Sequence, residues 1–152
     1  MGFQVAAKLL VDFFGILIRH QAAKVCDPAA WAGWVRLMDS QLLGGTQSTF
    51  VGAAVPDVGQ GLVVGAYAGN SRAYLAGEDG VRLLTVESSL GRLGSGRALA
   101  KTFSLRLTPH DILLLMSDGA WGAFSGTYVL RKTLGSALGR HFSELPQALL
   151  DG

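Results

Sequence analysis

Cysteine is all but missing from the 152 residues: Cys26 stands alone. An internal disulfide is therefore excluded, and no Cys/His neighbours are at hand for a structural zinc site. The residue reads as a small buried hydrophobe in a reducing compartment, so a cytoplasmic location is expected. Charge is also sparse, at 16% of residues with a formal net charge of +2. That is far from the dense basic surface needed to displace counterions from nucleic acid, which is ruled out as a partner. Long hydrophobic runs are lacking too. The best one, Leu9 to Ile18, is broken by Asp12 and followed by Arg19 and His20. It falls short of the roughly 20 apolar residues of a spanning helix and lacks the small residues of a cleavage site. Neither a membrane partner nor a signal peptide is expected.

What is plentiful is apolar surface and glycine: 49% of residues are hydrophobic and 21 are glycine. One ordinary domain with a real core and many tight turns follows. Val5, Leu9, Phe13, Ile16 and Leu17 recur at helical spacing and predict a buried helix from Phe3 to about Lys24. Asp27 and Pro28 form an N-cap and first-turn pair ahead of a Trp31, Val35, Met38, Leu42 stripe that Gly44 and Gly45 end. Trp31 and Trp34 are expected in the core. Short β-type runs then follow: Ser48 to Val55, Leu62 to Ala68, Arg72 to Ala76 and Val81 to Thr85, with turns at Pro56-Asp57 and at 77–80. Such tight connections require antiparallel pairing. Glu87 to Ala100 reads as an ordered loop. From Lys101, alternation puts Phe103, Leu105 and Leu107 on one face and Thr102, Ser104 and Arg106 on the wet one. Ile112 to Met116 is apolar without alternation, the mark of a central strand covered on both faces. A helix around Tyr128 to Leu138 and a short one from Ser143 to Leu150 close the chain. The layout is α+β, with helices on one covered sheet or on two stacked ones.

Asp118 is the foremost candidate for chemistry. It follows a buried apolar strand directly and precedes Gly119, where a rigid scaffold hands side chains to a ligand. A carboxylate so placed suits hard cations such as magnesium or manganese; the plain alternative is an aspartate capping its own turn. The segment Leu113-Leu114-Leu115-Met116-Ser117-Asp118-Gly119-Ala120-Trp121 resembles the Ser-Asp-Gly strand end of the metal-dependent, type 2C (PPM-type) protein serine/threonine phosphatases. Upstream, Gly69-Asn70-Ser71-Arg72-Ala73 is similar to that family's Gly-Asp-Ser-Arg-Ala motif with one change. Pro109-His110-Asp111 stands for its Pro-Gly-Asp turn, and Gly44 to Thr49 more loosely matches its glycine- and threonine-rich segment.

The resemblance implies an α+β fold with helices packed on stacked, mainly antiparallel β-sheets, an α-β-β-α sandwich, incomplete within residues 1–152. It implies Mn2+ or Mg2+ as cofactors, two ions in the intact family. Asp118 would be a metal ligand, and Asn70 would stand in a substituted ligand position. Both approach one metal cluster in the family, so they are expected within about 10 Å of each other, the reach of groups sharing bridging water. The activity implied is attack of metal-activated water on phosphoserine or phosphothreonine, with a phosphoprotein substrate or a regulatory protein as partner. The family's first Asp-Gly motif and its closing Asp-Asn segment have no counterpart here. One carboxylate does not hold two divalent ions against their hydration, so little activity is expected of this chain alone. A non-catalytic phosphatase-like module is the alternative.

Three other readings compete. Gly69 to Ala73 approximates a nucleophile elbow, and Ser71, Asp118 and His141 occur in the order of an α/β-hydrolase triad; an elbow, however, opens a long helix, and here a turn follows within a few residues. Gly91 to Gly96 lacks the Gly-Lys-Ser/Thr of a phosphate loop. Arg92, Arg97, Lys101 and Arg106 offer cationic contacts to a phosphoprotein but read first as a solvated face.

Overall fold

The computed structural model describes residues 3–42, 44–77, 79–86, 91–123 and 132. Two helices open the chain, α1 (Phe3–His20) and α2 (Pro28–Gln41). Asp27 caps α2 as its sequence position predicts: the side chain accepts a hydrogen bond from Ala29 N at 2.8 Å, and Pro28 occupies the first turn, where no N–H is needed. Six strands follow: β1 (Phe50–Asp57), β2 (Leu62–Ala68), β3 (Arg72–Gly77), β4 (Gly80–Leu83), β5 (Lys101–Arg106) and β6 (Ile112–Met116). A single turn of helix, α3 (Asp118–Trp121), comes directly after β6. Apart from Lys132, the helices expected around Tyr128 to Leu138 and Ser143 to Leu150 lie outside the described residues.

The strands form two three-stranded sheets, in orders β1-β2-β5 and β4-β3-β6, and every pairing is antiparallel. The fold is α+β. Period-two alternation explains how each strand serves its layer. In β2, Val64, Ala66 and Ala68 join Leu10, Phe14, Trp31, Trp34, Val35, Met38 and Leu42 of the helical layer in one core. Val63 and Tyr67 point to the other face and are equally buried. Tyr67 Oη accepts from Val86 N at 3.0 Å, just beyond β4, and so ties the first sheet to the second. A smaller core gathers Tyr74, Ala76, Val81 and Met116, with Trp121 of α3 packed against it. In β5 the expected alternation holds: Phe103 and Leu105 are half-buried, and Thr102, Ser104 and Arg106 are exposed. Among the described residues no helix is long and apolar enough to cross a membrane.

Several expectations are corrected. The buried stripe of α1 runs through Leu10 and Phe14, with Phe13, Leu17 and Ile18 partly covered, whereas Leu9 and Ile16 are exposed. The stripe is rotated because Phe14 stacks between Phe50 of β1 and Trp31 of α2, with ring centroids 4.3 and 6.1 Å away. Cys26 is exposed, not buried; it sits in the turn before the α2 cap, and its neighbour Val25 fills the core instead. Pro56-Asp57 belongs to the end of β1, and the reversal lies in the short 3-10 turn Val58–Gln60, where Asp57 accepts from Gly59 N. Among the described residues β6 is an edge strand of its sheet rather than a central one, and Leu115 is 42% exposed.

One buried carboxylate fastens the helical layer to the loop before β5. Asp39 on α2, 6% exposed, accepts three backbone N–H bonds: Gly94 at 2.7 Å, Gly96 at 3.2 Å and Ala98 at 3.1 Å. Gly94 and Gly96 have φ of 87° and 69°, the left-handed region that turns their N–H groups toward one point. Without the carboxylate three donors lose their acceptor in a largely dry site. Asp39→Ala is therefore expected to lower unfolding free energy by about 3 kcal/mol, and Asp39→Asn by less, because one amide oxygen still accepts. Urea unfolding checks this, and equal losses for the two variants would contradict it.

Candidate functional site

The antiparallel register of β3 and β6 pairs Arg72 with Met116, the first residue of one strand with the last of the other. The turn entering β3 therefore lies beside the chain leaving β6, and two segments distant in sequence become neighbours. The entering turn is made by Gly69, with φ of 77°; a Cβ there would lie 2.9 Å from the Thr49 methyl group, so the position asks for glycine on two counts. Ser71 is buried and donates its hydroxyl to Thr49 Oγ1 at 2.8 Å. That bond anchors the turn to the residue just before β1.

On the other side, Ser117 is the N-cap residue of α3 and Asp118 its first residue. Asp118 is exposed and its Oδ1 accepts from its own neighbour, Gly119 N, at 3.0 Å. Asn70 Nδ2 donates to Asp118 Oδ2 at 3.3 Å. Trp121, from the same helical turn, returns the link by donating its indole N–H to Asn70 O at 2.9 Å. Its ring lies under the Arg72 guanidinium, 3.4 Å from Cζ to the ring centroid, and Arg72 also donates to Tyr74 Oη at 3.1 Å. Asn70, Arg72, Asp118 and Trp121 thus form one polar and aromatic constellation at the mouth of β3 and β6. The two sequence-derived site residues, Asn70 and Asp118, are in direct contact, well inside the expected separation.

Sequence reasoning did not single out Trp121 or Arg72 as parts of this site. The signal was present in the aromatic that follows the Asp-Gly pair and in the arginine two residues after Asn70, but their meeting depends on strand register. The hydrolase reading does not survive the geometry. Ser71 directly precedes strand β3 rather than a helix and spends its hydroxyl on Thr49; His141 lies outside the described residues. In the loop 91–96, the N–H groups of Gly94 and Gly96 are turned to Asp39, not to an external phosphate.

Among the described residues no group of three or more His, Cys, Asp or Glu side chains is assembled to hold a metal ion. A dinuclear magnesium or manganese centre needs several anionic oxygens per ion, and the residues described here do not fit one by themselves.

Two antiparallel three-stranded sheets with helices match part of the fold of PPM-type phosphatases, and comparison with known proteins gives the class. The chain belongs to the Stage II sporulation protein E (SpoIIE) family, whose model matches residues 1–152. Among solved structures it is similar to a bacterial serine phosphatase bearing an arginine substitution, with 25% identity and a TM-score of 0.64 over 82% of this chain and 60% of that one. A second bacterial serine phosphatase structure matches with 20% identity and a TM-score of 0.63, covering 82% and 64%. PppA, described as a key regulatory component of T6SS in Pseudomonas aeruginosa, matches with 16% identity and a TM-score of 0.54, covering 82% and 60%. The chain thus spans less than two thirds of the length of these structures. No curated protein matches it.

Trp121 Nε1 donates to the backbone carbonyl of the exposed Asn70, so Trp121→Phe, which keeps the ring and drops the N–H, is expected to cost about 0.5–1 kcal/mol. Denaturant unfolding measures it. An unchanged midpoint would mean that the indole bond does not hold the Asn70 turn.

Proposed function

We propose that this chain is a partial domain of a protein serine/threonine phosphatase, one that removes phosphate from phosphoserine or phosphothreonine of a protein substrate with Mn2+ or Mg2+ as cofactor. The observation that carries the reading is the placement of Asp118. It stands at the exit of β6, first in α3, against the Asn70-Ser71-Arg72 turn, in a chain that the SpoIIE family model matches over its full 152 residues. A carboxylate at such a strand end suits a hard cation, whose charge would lower the pKa of bound water and neutralise phosphoryl oxygens. Asp118 is then the metal ligand of this chain, and Asn70 occupies a substituted position. By this reading the protein works in the cytoplasm on phosphoproteins.

The ligand count limits what these 152 residues do alone. Asp118 is the one carboxylate that the motifs assign to an ion, Asn70 brings a neutral amide, and no further cluster is assembled among the described residues. Losing even one bridging carboxylate leaves ions mostly water-bound, so the nucleophile is neither generated nor aimed. The second reading, a phosphatase-like module that binds a regulatory protein without turnover, is favoured by the same pair: both oxygens of Asp118 already accept N–H donors. The structural likeness to PppA, described as a regulatory component, supports such a partner.

A phosphothreonine peptide assay with and without Mn2+ separates the two. The 152-residue chain is expected to give no Mn2+-dependent release of phosphate above background. A form extended by flanking coding sequence, where the gene supplies it, is expected to be active and to lose that activity on Asp118→Asn. Turnover by the 152 residues that Asp118→Asn abolishes would contradict the ligand count. Inactivity of both forms with retained binding of a phosphoprotein would replace the enzyme reading by the binding module.

A further inference from the structure

The Asn70 and Asp118 side chains meet without an intermediary. Asp118 is an acceptor only, so the amide presents its N–H, and Nδ2 donates to Oδ2 at 3.3 Å. Oδ1 is held by Gly119 N at 3.0 Å. The turn that carries the amide is held in place, because Trp121 Nε1 donates to the Asn70 backbone carbonyl at 2.9 Å and Trp121 is itself overlain by Arg72. Two hydrogen bonds running in opposite directions therefore join the same two segments, one through side chains and one through the Asn70 backbone.

We infer that the gap between Asn70 and Asp118 is closed to divalent cations, with the Asn70 amide N–H standing where an ion would stand and holding Asp118 in its place. A hard divalent ion takes oxygen ligands and is repelled by the positive end of an N–H dipole. To admit one, the amide must flip its oxygen inward, give up its bond to Asp118 and supply only a neutral ligand. Replacement by the isosteric carboxylate inverts the balance. Two carboxylates at hydrogen-bond separation repel each other and need a cation or a shared proton between them. The inference concerns only the Asn70 side of the proposed site, the gap facing Asp118 Oδ2; it leaves the rest of Asp118 to the ion that the proposed function calls for, and it does not depend on turnover.

The test uses the 15N-labelled 152-residue chain with Mn2+ alone as the probe, read through paramagnetic broadening of the Gly119 amide and the Trp121 indole N–H. In the unaltered chain these signals are expected to broaden no earlier than signals beside an ordinary exposed carboxylate such as Asp57. In Asn70→Asp they are expected to broaden at about tenfold lower Mn2+, and the melting temperature is expected to rise with Mn2+ and fall with chelator. The swapped double variant, Asn70→Asp with Asp118→Asn, restores one amide and one carboxylate and is expected to return to the unaltered behaviour. Should Asn70→Asp fail to fold, Asn70→Ser clears the amide from the gap without adding charge, and earlier broadening than in the unaltered chain is expected. Early broadening in the unaltered chain, or no difference between it and the variant that folds, overturns the inference. Absence of phosphatase turnover leaves it standing, and Mn2+ uptake in the gap of the unaltered chain would overturn it while leaving the phosphatase reading intact.

Discussion

The antiparallel pairing of β3 with β6 is the constraint on which the site rests. Its register sets Arg72 opposite Met116, so whatever immediately precedes β3 must face whatever immediately follows β6. A shift of one residue would turn every side chain of β6 to the opposite face and carry Met116 out of the small core that it shares with Tyr74 and Ala76. Burial of those side chains therefore fixes the register, and the register fixes the distance between Asn70 and Asp118. Gly69 and the Ser71 to Thr49 bond then aim the turn, tying it to the start of the first sheet. Packing energy in two sheets is in this way converted into the position of two polar side chains at their rim.

The constellation is rich in mutual contacts. Asp118 leans on two N–H donors, Arg72 on the π face of Trp121 and on Tyr74 Oη, and among the described residues every buried side-chain nitrogen or oxygen has a partner. A site built to be completed by ions usually leaves carboxylate oxygens facing one another, since their mutual repulsion is what the ion relieves. Here a neutral amide occupies one side of that arrangement. The SpoIIE family membership and the likeness to bacterial serine phosphatases place the chain among phosphatase-like domains, and in this chain the Asn70–Asp118 bond joins the two strand ends.

Much of the fold was legible because local signals and tertiary demands coincide. Leu62 to Ala68 and Ile112 to Met116 are strands with the expected bounds, and Asp27-Pro28 caps α2 as its chemistry requires. Where the reading failed, packing overrode periodicity. In α1 several overlapping apolar stripes compete, and the stacking of Phe14 between Phe50 and Trp31 selects the one through Leu10. The position of β6 in its sheet was not legible, since an unbroken apolar run is compatible with a covered strand and with an edge strand beside a groove. Asp118 and Asn70 were found through motif resemblance. Arg72 and Trp121 were missed because a cation–π contact between residues on different elements leaves no spacing in the sequence. Asp39 was missed for a similar reason: a buried carboxylate that serves three backbone donors looks, in sequence, like any helical aspartate.

The turn before β3 and the helical turn after β6 are held in direct contact by the Trp121 and Asn70 bonds. A nuclear Overhauser spectrum of the labelled chain without added metal tests this most directly. Cross-peaks are expected from the Trp121 indole N–H to the Asn70 Hα and the Ser71 amide, and from the Asn70 side-chain amide to the Gly119 amide. A well-dispersed spectrum of the folded chain that lacks both sets would contradict that contact.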